Sequence, residues 1–300
     1  MIALDYGIPT DKEGGQLRLG VAKGFFRDEG IDLNVKVIYG GPEIAAAYDS
    51  GQLKVGEIGT PPAITALAKG HRFKIIASSV RRRAVQYLVA APQIRDWKDL
   101  RGKTSASLSI GSCSYWFSRL VLQSHGLDPD RDVNLIGLGE RYPRALELFE
   151  SGELQAAVLN EPSIAIGESR GVFHIMEALT DPKYCPTMQW IIVVANNSFI
   201  AQEPDLLRAV LRALLRTTLY CRDHPKEWIG FAANLFGTDV PTMKKAYARE
   251  LPGLHFECQP DMPGLEEAIA LQHRLGAIKV PMKAADICDL RFLPETAKAV

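Results

Sequence analysis

Apolar and polar residues alternate along the first two thirds of the chain in a way that predicts short strands separated by amphipathic helices. Runs rich in valine, isoleucine and leucine, bounded by glycine, proline, asparagine or serine, predict ten strands. They are Ile2 to Tyr6, Leu33 to Ile38, Val55 to Ile58, Phe73 to Ala77, Tyr87 to Ala91, Thr104 to Ser107, Val133 to Ile136, Ala156 to Leu159, Val172 to Ile175 and Trp190 to Ala195. This alternation is typical of an α/β protein with largely parallel sheets. After Ala195 the spacing becomes helical, and Leu207 to Thr218 mark one face of a long helix that begins near Pro204.

An internal repeat is the most informative feature of the sequence. Residues 42–61 align without gaps with residues 143–162. Identical residues stand at Pro42/Pro143, Ser50/Ser151, Gly51/Gly152, Leu53/Leu154 and Pro61/Pro162. Any two helix–turn–strand units look broadly alike, but identities in one shared register favour a true duplication. A duplication predicts two similar lobes with a cleft between them.

Composition and charge narrow the class of protein. The chain has 300 residues, 47% hydrophobic and 23% charged, which is enough for two lobes that each bury a core. The 35 lysines and arginines balance 35 aspartates and glutamates, so no net field attracts phosphate backbones, and nucleic acid is not expected as a partner. The longest strongly apolar run, Trp190 to Ala195, is far shorter than the ~20 residues of a transmembrane segment.

The opening of the chain, Met1 to Gly7, has no basic or apolar region of the kind found in export signals. Three interpretations stay open: a cytoplasmic protein, an exported protein in its mature form, or a misplaced start.

The cysteines are odd in number and widely scattered, without a CxxC pair or a Cys/His cluster at zinc spacing. They are Cys113, Cys185, Cys221, Cys258 and Cys288. We therefore expect no disulfide framework, no metal site and no cofactor.

Candidate ligand-binding residues stand where predicted strands end and helices begin. In open parallel sheets, ligands bind beyond the carboxyl ends of the strands, where helix N-termini present unpaired N–H groups. In the first lobe these residues are Tyr6, Pro9, Gly41, Gly59, Thr60 and Ser79, with Trp190 beside them as part of an aromatic wall. In the second lobe they are Ser109, Ser112, Cys113, Ser114, Arg141, Asn160 and Glu161.

Several of these residues have an equally good structural interpretation. Thr60 and Ser114 are suited to N-capping a helix, and aromatic residues are most often buried in a core. The run at residues 81–83, three arginines, is more typical of a solvated turn than of an anion site. Arg141 favours an anionic ligand, whereas Glu161 favours an amine or a hydroxyl donor, and the sequence does not decide between them.

Cys113 is the best candidate for a nucleophile, because it lies in a Ser/Gly loop before a predicted helix whose dipole would lower a thiol pKa. The histidines stand in unremarkable positions, and no HExxH, GxSxG, P-loop or dinucleotide-binding motif is present. We favour the interpretation of Cys113 as a small residue that lines a turn, so no catalytic residue is assigned.

The stretch LGVAKGFFRDEGIDL at residues 19–33 resembles the opening of periplasmic solute-binding proteins. The group it resembles is the SsuA-like one, which takes aliphatic sulfonates, taurine, nitrate and thiamine-pyrimidine precursors. The segments SGQL at 50–53, WKDLRGK at 97–103 and AAVLNEP at 156–162 also resemble sequences of this group.

The resemblance implies a type II periplasmic-binding-protein fold with two lobes, mostly parallel sheets and an interlobe ligand cleft. Lobe 1 would comprise residues 1–88 and 190–300, lobe 2 residues 92–188, and the hinge two strands near 87–91 and 190–194. It also implies a monomer that captures a sulfonate, a carboxylate or a pyrimidine-like solute by lobe closure and delivers it to an ABC permease and its ATPase. The implied location is the periplasm, with the cytoplasm as the alternative.

Enzymes on the same fold are the rival class. The sulfinate desulfinase that resembles these proteins uses a cysteine at the first strand–helix corner and His and Arg at the next ones, but here the corners read YGIP at 6–9 and GTP at 59–61. The pyrimidine-precursor synthase has a run of cysteines after the second lobe, where this chain has only Cys185. A cytoplasmic decarboxylase or dehydratase stays open as an alternative.

Overall fold

The computed structural model of the chain describes residues 1–12, 15–181, 183–184, 187–280 and 282–295, so Cys185 lies outside the described residues. All ten predicted strands are present, with bounds within a few residues of those expected. The strands are β1 (Ile2–Ile8), β2 (Ile31–Val37), β3 (Val55–Gly59), β4 (Phe73–Ser78), β5 (Gln86–Ala90), β6 (Thr104–Ser107), β7 (Asn134–Gly137), β8 (Ala156–Asn160), β9 (His174–Ala178) and β10 (Ile191–Asn196).

Helices connect these strands and form most of the chain after β10. They are α1 (Gly15–Ala22), α2 (Phe25–Asp28), α3 (Gly41–Ser50), α4 (Thr60–Ala68), α5 (Cys113–Ser124), α6 (Ala145–Glu150), α7 (Ser163–Ser169), α8 (Asn197–Gln202), α9 (Pro204–Asp223), α10 (Pro225–Leu235), α11 (Val240–Glu250), α12 (Met262–Arg274) and α13 (Ala284–Ile287). Short 3-10 helices cover Trp97–Leu100, Gly139–Arg144, Leu251–Gly253 and Leu290–Phe292. The long helix expected near Pro204 is α9, which begins at that proline because proline lacks only an N–H that would be unpaired there.

The first unit comprises Met1–Arg83, Thr187–Ala232 and Gly253–Val300. Its sheet has the order β2-β1-β3-β10-β4, in which β1 is parallel to β2 and β3 and β10 is antiparallel to β3 and β4. Four strands therefore run in one direction and β10 runs against them, so the sheet is mixed. The apolar face of α9 packs with α1 and β1 in the core of this unit.

The second unit comprises Ala84–Pro186 and Ala233–Pro252. Its sheet has the order β7-β6-β8-β5-β9, with β6 parallel to β7 and β8 and with β5 antiparallel to β8 and β9. The family resemblance implied that all of 190–300 belongs to the first lobe, whereas the structure groups 233–252 with the second unit. The reason is that α11 packs on α7 of this unit.

The two sheets repeat each other strand for strand, as the duplication predicts. In the shared numbering of the repeat, Val55 corresponds to Ala156, and these residues pair with Tyr6 and Ser105 respectively. The reversed strands β10 and β5 each carry a bulge at the corresponding position, between Val193 and Val194 and between Leu88 and Val89. A shared order, register and bulge position are hard to explain except by duplication.

Within the described part of the chain, no helix combines the length and the apolar character needed to cross a bilayer. The four cysteines that the structure describes, Cys113, Cys221, Cys258 and Cys288, are free thiols.

A stacked pair in the second unit predicts a pH effect on stability. The rings of Trp97 and His125 stack at 3.7 Å, and burial lowers the pKa of His125, with Lys183 adding to this and Glu177 opposing it. The unfolded chain therefore binds a proton at this histidine at higher pH than the folded chain does, so stability should fall as the pH drops below about 6.5.

We expect the urea midpoint of the wild-type protein to fall more between pH 7.5 and 5.5 than that of the variant His125→Phe, which retains a ring against Trp97 but cannot titrate. Equal falls in the two proteins would contradict this assignment.

Candidate functional site

The carboxyl edge of the first unit's sheet brings several predicted site residues together. β1, β3 and β4 run in the same direction, so the segments after them leave the sheet at one edge. The start of β10 joins two of these corners, because the Thr60 N–H donates to the Trp190 carbonyl (2.8 Å) and the Ser79 N–H donates to the Ile191 carbonyl (3.2 Å). Pro9, after β1, is buried.

Four polar side chains on or after these strands are buried and have no hydrogen-bond partner among the described residues. They are the Tyr6 hydroxyl, both ends of the Gln16 carboxamide, the Thr60 hydroxyl and the Ser79 hydroxyl, on residues that are 0%, 3%, 0% and 3% exposed. An unpaired buried polar group costs about 1–3 kcal/mol, so native proteins rarely keep several of them. These four side chains are therefore the candidates for contacts with a polar ligand at this edge of the first unit.

Burial raises the pKa of Tyr6 well above its ordinary value, and the nearby Glu57 carboxyl adds to the effect. The phenol is protonated at neutral pH even at its ordinary pKa, so it can donate as well as accept a hydrogen bond.

The two expected N-caps are wrong. Helix α4 begins at Thr60 itself, and Gly59 occupies the cap position, so the Thr60 hydroxyl does not cap the helix. The cap of α5 is Ser112, whose hydroxyl accepts from the Tyr115 N–H (3.3 Å). Ser114 instead accepts from the Leu108 N–H (2.9 Å) inside the preceding loop.

The loop after β6 uses its serines to hold its own shape. The Ser112 hydroxyl accepts from the Ser109 N–H (3.3 Å) and lies 3.1 Å from the Ser114 hydroxyl. Cys113 is buried at the first position of α5. The Ser112 and Ser114 hydroxyls are thus engaged within the second unit, whereas the Thr60 and Ser79 hydroxyls of the first unit have no partner among the described residues.

The side chains of two histidines, His71 and His224, contact residues other than Cys113. His71 lies 3.4 Å from the Ala45 carbonyl, and the ring of His224 stacks on Tyr220 at 4.0 Å. Neither contact involves Cys113.

Two other predicted residues of the second unit have partners within that unit. Arg141 is about half exposed and forms an ion pair with Glu153. The Asn160 side-chain oxygen Oδ1 accepts from the Gln86 side-chain Nε2 (2.7 Å), because the two residues lie opposite each other in the β5–β8 register.

Glu161 is fully buried, and both of its carboxylate oxygens are engaged inside the second unit. One accepts from the Ala165 N–H in the first turn of α7 (3.0 Å), and the other pairs with the Arg249 guanidinium of α11 (3.0 Å). Burial raises the pKa of Glu161, although the Ala165 N–H and Arg249 oppose the shift. The structure corrects the expectation of a carboxylate offered to a ligand, because Glu161 joins α7 to α11 instead.

The arginine run at 81–83 is not a solvated turn, contrary to expectation. Arg81 donates to the Lys12 carbonyl (2.6 Å), and Arg83 donates to the Met188 carbonyl (3.2 Å) and pairs with Asp261. Because these partners lie in separate segments of the first unit, the run holds those segments together.

Close packing and burial explain two further predicted residues. A side chain at Gly41, the first residue of α3, would place its Cβ 2.5 Å from the Pro62 Cγ of α4, so the glycine permits the two helices to approach. Trp190 is 3% exposed, and its backbone carbonyl accepts a hydrogen bond from the Thr60 N–H.

Gln16 is the residue that sequence reasoning missed. It lies in the first turn of α1, one turn before Gly20, on a face where Leu19 and Gly20 are also buried. A polar residue at a position whose helical neighbours are apolar was the available signal.

Solved structures share this architecture. The alkanesulfonate-binding protein SsuA from Xanthomonas axonopodis pv. citri, bound to MOPS, has a TM-score of 0.77 and 15% identity, covering 96% of this chain and 98% of that chain. The periplasmic nitrate-binding protein NrtA from Synechocystis PCC 6803 has a TM-score of 0.79 and 13% identity, covering 99% and 89%. The chain thus has the two-lobe fold of the periplasmic binding proteins.

The model of the NMT1/THI5-like family matches residues 16–228, and the chain belongs to this family. The resemblance read from residues 19–33 is thereby confirmed. The taurine-binding periplasmic protein of Escherichia coli (strain K12) is 22% identical over 284 residues, which covers 91% of this chain and 81% of that protein.

Two further relatives align with a smaller part of this chain. YtlA of Bacillus subtilis (strain 168) is 24% identical over 211 residues, 69% of this chain and 62% of YtlA. The 4-amino-5-hydroxymethyl-2-methylpyrimidine phosphate synthase of Candida albicans (strain WO-1) is 22% identical over 235 residues, 74% of this chain and 66% of the enzyme. The chain therefore spans less than two thirds of the length of each of these two.

Proposed function

We propose that the chain is the solute-binding protein of an ABC importer and that it captures a small organic solute. The observation that carries the proposal is the set of buried, unpartnered polar side chains at the carboxyl edge of the first unit's sheet, Tyr6, Gln16, Thr60 and Ser79. No chemical step on the solute is needed, since binding alone supplies the partners that these groups lack.

The family and fold support the rest of the proposal. The taurine-binding, alkanesulfonate-binding and nitrate-binding proteins are binding proteins, which favours the same role here. The proposed partners are an ABC permease and its ATPase, and the proposed location is the periplasm. Capture by lobe closure is part of the proposal and requires that the solute bind the closed state more tightly than the open one. Permease and ATPase genes beside this gene would support these partners, whereas catabolic genes would favour an enzyme.

Thermal shift with a panel of sulfonates, carboxylates and pyrimidines tests the proposal. A solute at 100 times its Kd should add about 2.7 kcal/mol to the free energy of unfolding. The variant Thr60→Val, which removes a buried hydroxyl without changing side-chain size, should lose most of the shift and keep or raise the melting temperature without solute. Thr180→Val, at an exposed threonine, is the matched control. A panel without any stabilising member would count against solute binding.

An enzyme on the same fold is the second candidate, because the Candida albicans synthase is among the relatives. Cys113 is the residue to test in this case. Product formation from any panel member, abolished by Cys113→Ser but retained by Cys288→Ser, would overturn the proposal of a binding protein. We expect no turnover in either variant or in the wild-type protein.

A further inference from the structure

The four unpartnered side chains named above, Tyr6, Gln16, Thr60 and Ser79, carry no charge. Three are hydroxyls and one, Gln16, is a carboxamide. A site built for an anion would be expected to keep a cationic group free for it.

Two groups of charged side chains near the same corners are compensated within the unit. After β1, Asp11 accepts from Arg18 (3.0 Å) and from the Tyr39 hydroxyl (2.6 Å). After β4, Arg83 forms an ion pair with Asp261, and the Arg82 guanidinium lies 3.6 Å from the same carboxylate. The Arg82 Nε has no partner, but the positive charge to which it belongs is offset by Asp261.

Gln16 sets a stricter requirement than the hydroxyls do. A hydroxyl can rotate to donate or to accept, whereas a carboxamide presents N–H donors and a carbonyl acceptor at fixed positions. Both the Gln16 nitrogen and the Gln16 oxygen are buried without a partner. A sulfonate or a carboxylate ion offers acceptors only, so it would leave the Gln16 oxygen unsatisfied and facing negative charge.

We propose that Gln16 is a specificity-determining residue and that it selects a neutral solute with an amide-type group, in which an N–H donor stands beside a C=O acceptor. Primary amides, lactams and ureas have this arrangement. The inference rests on the proposed function and deepens it, because it names the chemistry that the same edge of the first unit would recognise. The hydroxyls of Tyr6, Thr60 and Ser79 adapt to whatever polar groups the rest of the solute presents.

The test uses probes that differ only in their polar head. Benzamide, benzoate and benzenesulfonate form one series, and propionamide, propionate and ethanesulfonate form a second with a smaller apolar part. Calorimetric titration of the full chain should show that each amide binds at least about tenfold more tightly than the two acids of its series, which corresponds to about 1.4 kcal/mol.

The variant Gln16→Leu should weaken amide binding at least about tenfold, equal to about 1.4 kcal/mol, and leave binding of the acids unchanged. Without ligand its melting temperature should match or exceed that of the wild-type protein, because an unpartnered buried amide has been replaced by an apolar group of similar size. Gln16→Met is the alternative if the leucine variant folds poorly. Gln52→Leu, at an exposed glutamine, is the control.

The outcomes separate the two proposals. Acids that bind as tightly as the amides, or amide binding that Gln16→Leu leaves intact, would overturn the role of Gln16 while solute binding stands. Absence of binding by every head group, together with a silent thermal-shift panel, would overturn both.

Discussion

Replacing Arg249 by methionine should destabilise the protein by about 3–5 kcal/mol, because breaking a buried ion pair leaves one charge without compensation. Glu161 is fully buried, and Arg249 is its ion-pair partner at 3.0 Å. The same guanidinium pairs with Glu168 of α7 at 2.7 Å, so the substitution also removes an ion-pair partner of Glu168. Denaturant unfolding followed by circular dichroism measures the loss.

Two further variants decide whether charge is the cause. The double variant Glu161→Gln/Arg249→Met removes both buried charges and should recover a large part of the stability lost in Arg249→Met. Arg144→Met breaks the exposed pair with Glu147 at 2.7 Å and should cost about 1 kcal/mol or less. A loss in Arg249→Met as small as that in Arg144→Met would show that Glu161 does not depend on Arg249.

This ion pair also explains why the sequence did not reveal the composition of the second unit. Residues 233–252 follow the long helix α9, and nothing in their periodicity distinguishes a helix packed on one unit from a helix packed on the other. The decision comes from pairs such as Glu161 with Arg249, which are 88 positions apart and have no local sequence signal. For the same reason Glu161 could not be recognised in advance as a structural carboxylate.

Local patterns predicted the strands well because most of them are short apolar runs that end at or near glycine, proline, serine or asparagine. The repeat predicted more, since it indicated two similar lobes and fixed the correspondence of β3 with β8. It could not predict the direction of β5 and β10, because strand direction depends on how distant segments pair. The N-cap at the start of α5 was misplaced by two residues, at Ser114 instead of Ser112, in a loop where several serines could have served.

The duplicated units differ in how their strand–helix corners use polar side chains. Ser112 and Ser114 of the second unit bond to backbone N–H groups of their own loop. The Thr60 and Ser79 hydroxyls of the first unit have no hydrogen-bond partner among the described residues. In the register of the repeat, Thr60 corresponds to Glu161, whose carboxylate is engaged by the Ala165 N–H and the Arg249 guanidinium, so the two corresponding corners differ in whether a polar side chain is left without a partner. This difference is the reason we base the proposed function on the first unit.

The variant Gly56→Ala should destabilise the protein by about 3 kcal/mol or more, at the upper end of the cost of overpacking a core. A Cβ at Gly56 would lie 2.2 Å from the Gly7 carbonyl oxygen and 2.3 Å from the Tyr48 hydroxyl. Neither group can move freely, because the first belongs to the backbone of β1 and the second donates to the Gly7 and Glu57 carbonyls at 3.1 Å.

The second unit shows what would relieve the clash. In the register of the repeat, Gly56 corresponds to Ala157 and Tyr48 to Phe149, which has no hydroxyl. The double variant Tyr48→Phe/Gly56→Ala should therefore lose less stability than the sum of its single variants, as measured by denaturant unfolding.

A glycine with free space around it provides the opposite expectation. Gly230, inside α10, has no heavy atom within 4 Å of an added Cβ, so Gly230→Ala should stabilise the protein by about 0.5–1 kcal/mol through helix propensity. If Gly56→Ala were as stable as the wild-type protein, or if Tyr48→Phe gave it no relief, the close approach of β1, β3 and α3 would not be what requires glycine at this position. The correspondence between the two units would then not extend to the packing of this helix on its sheet.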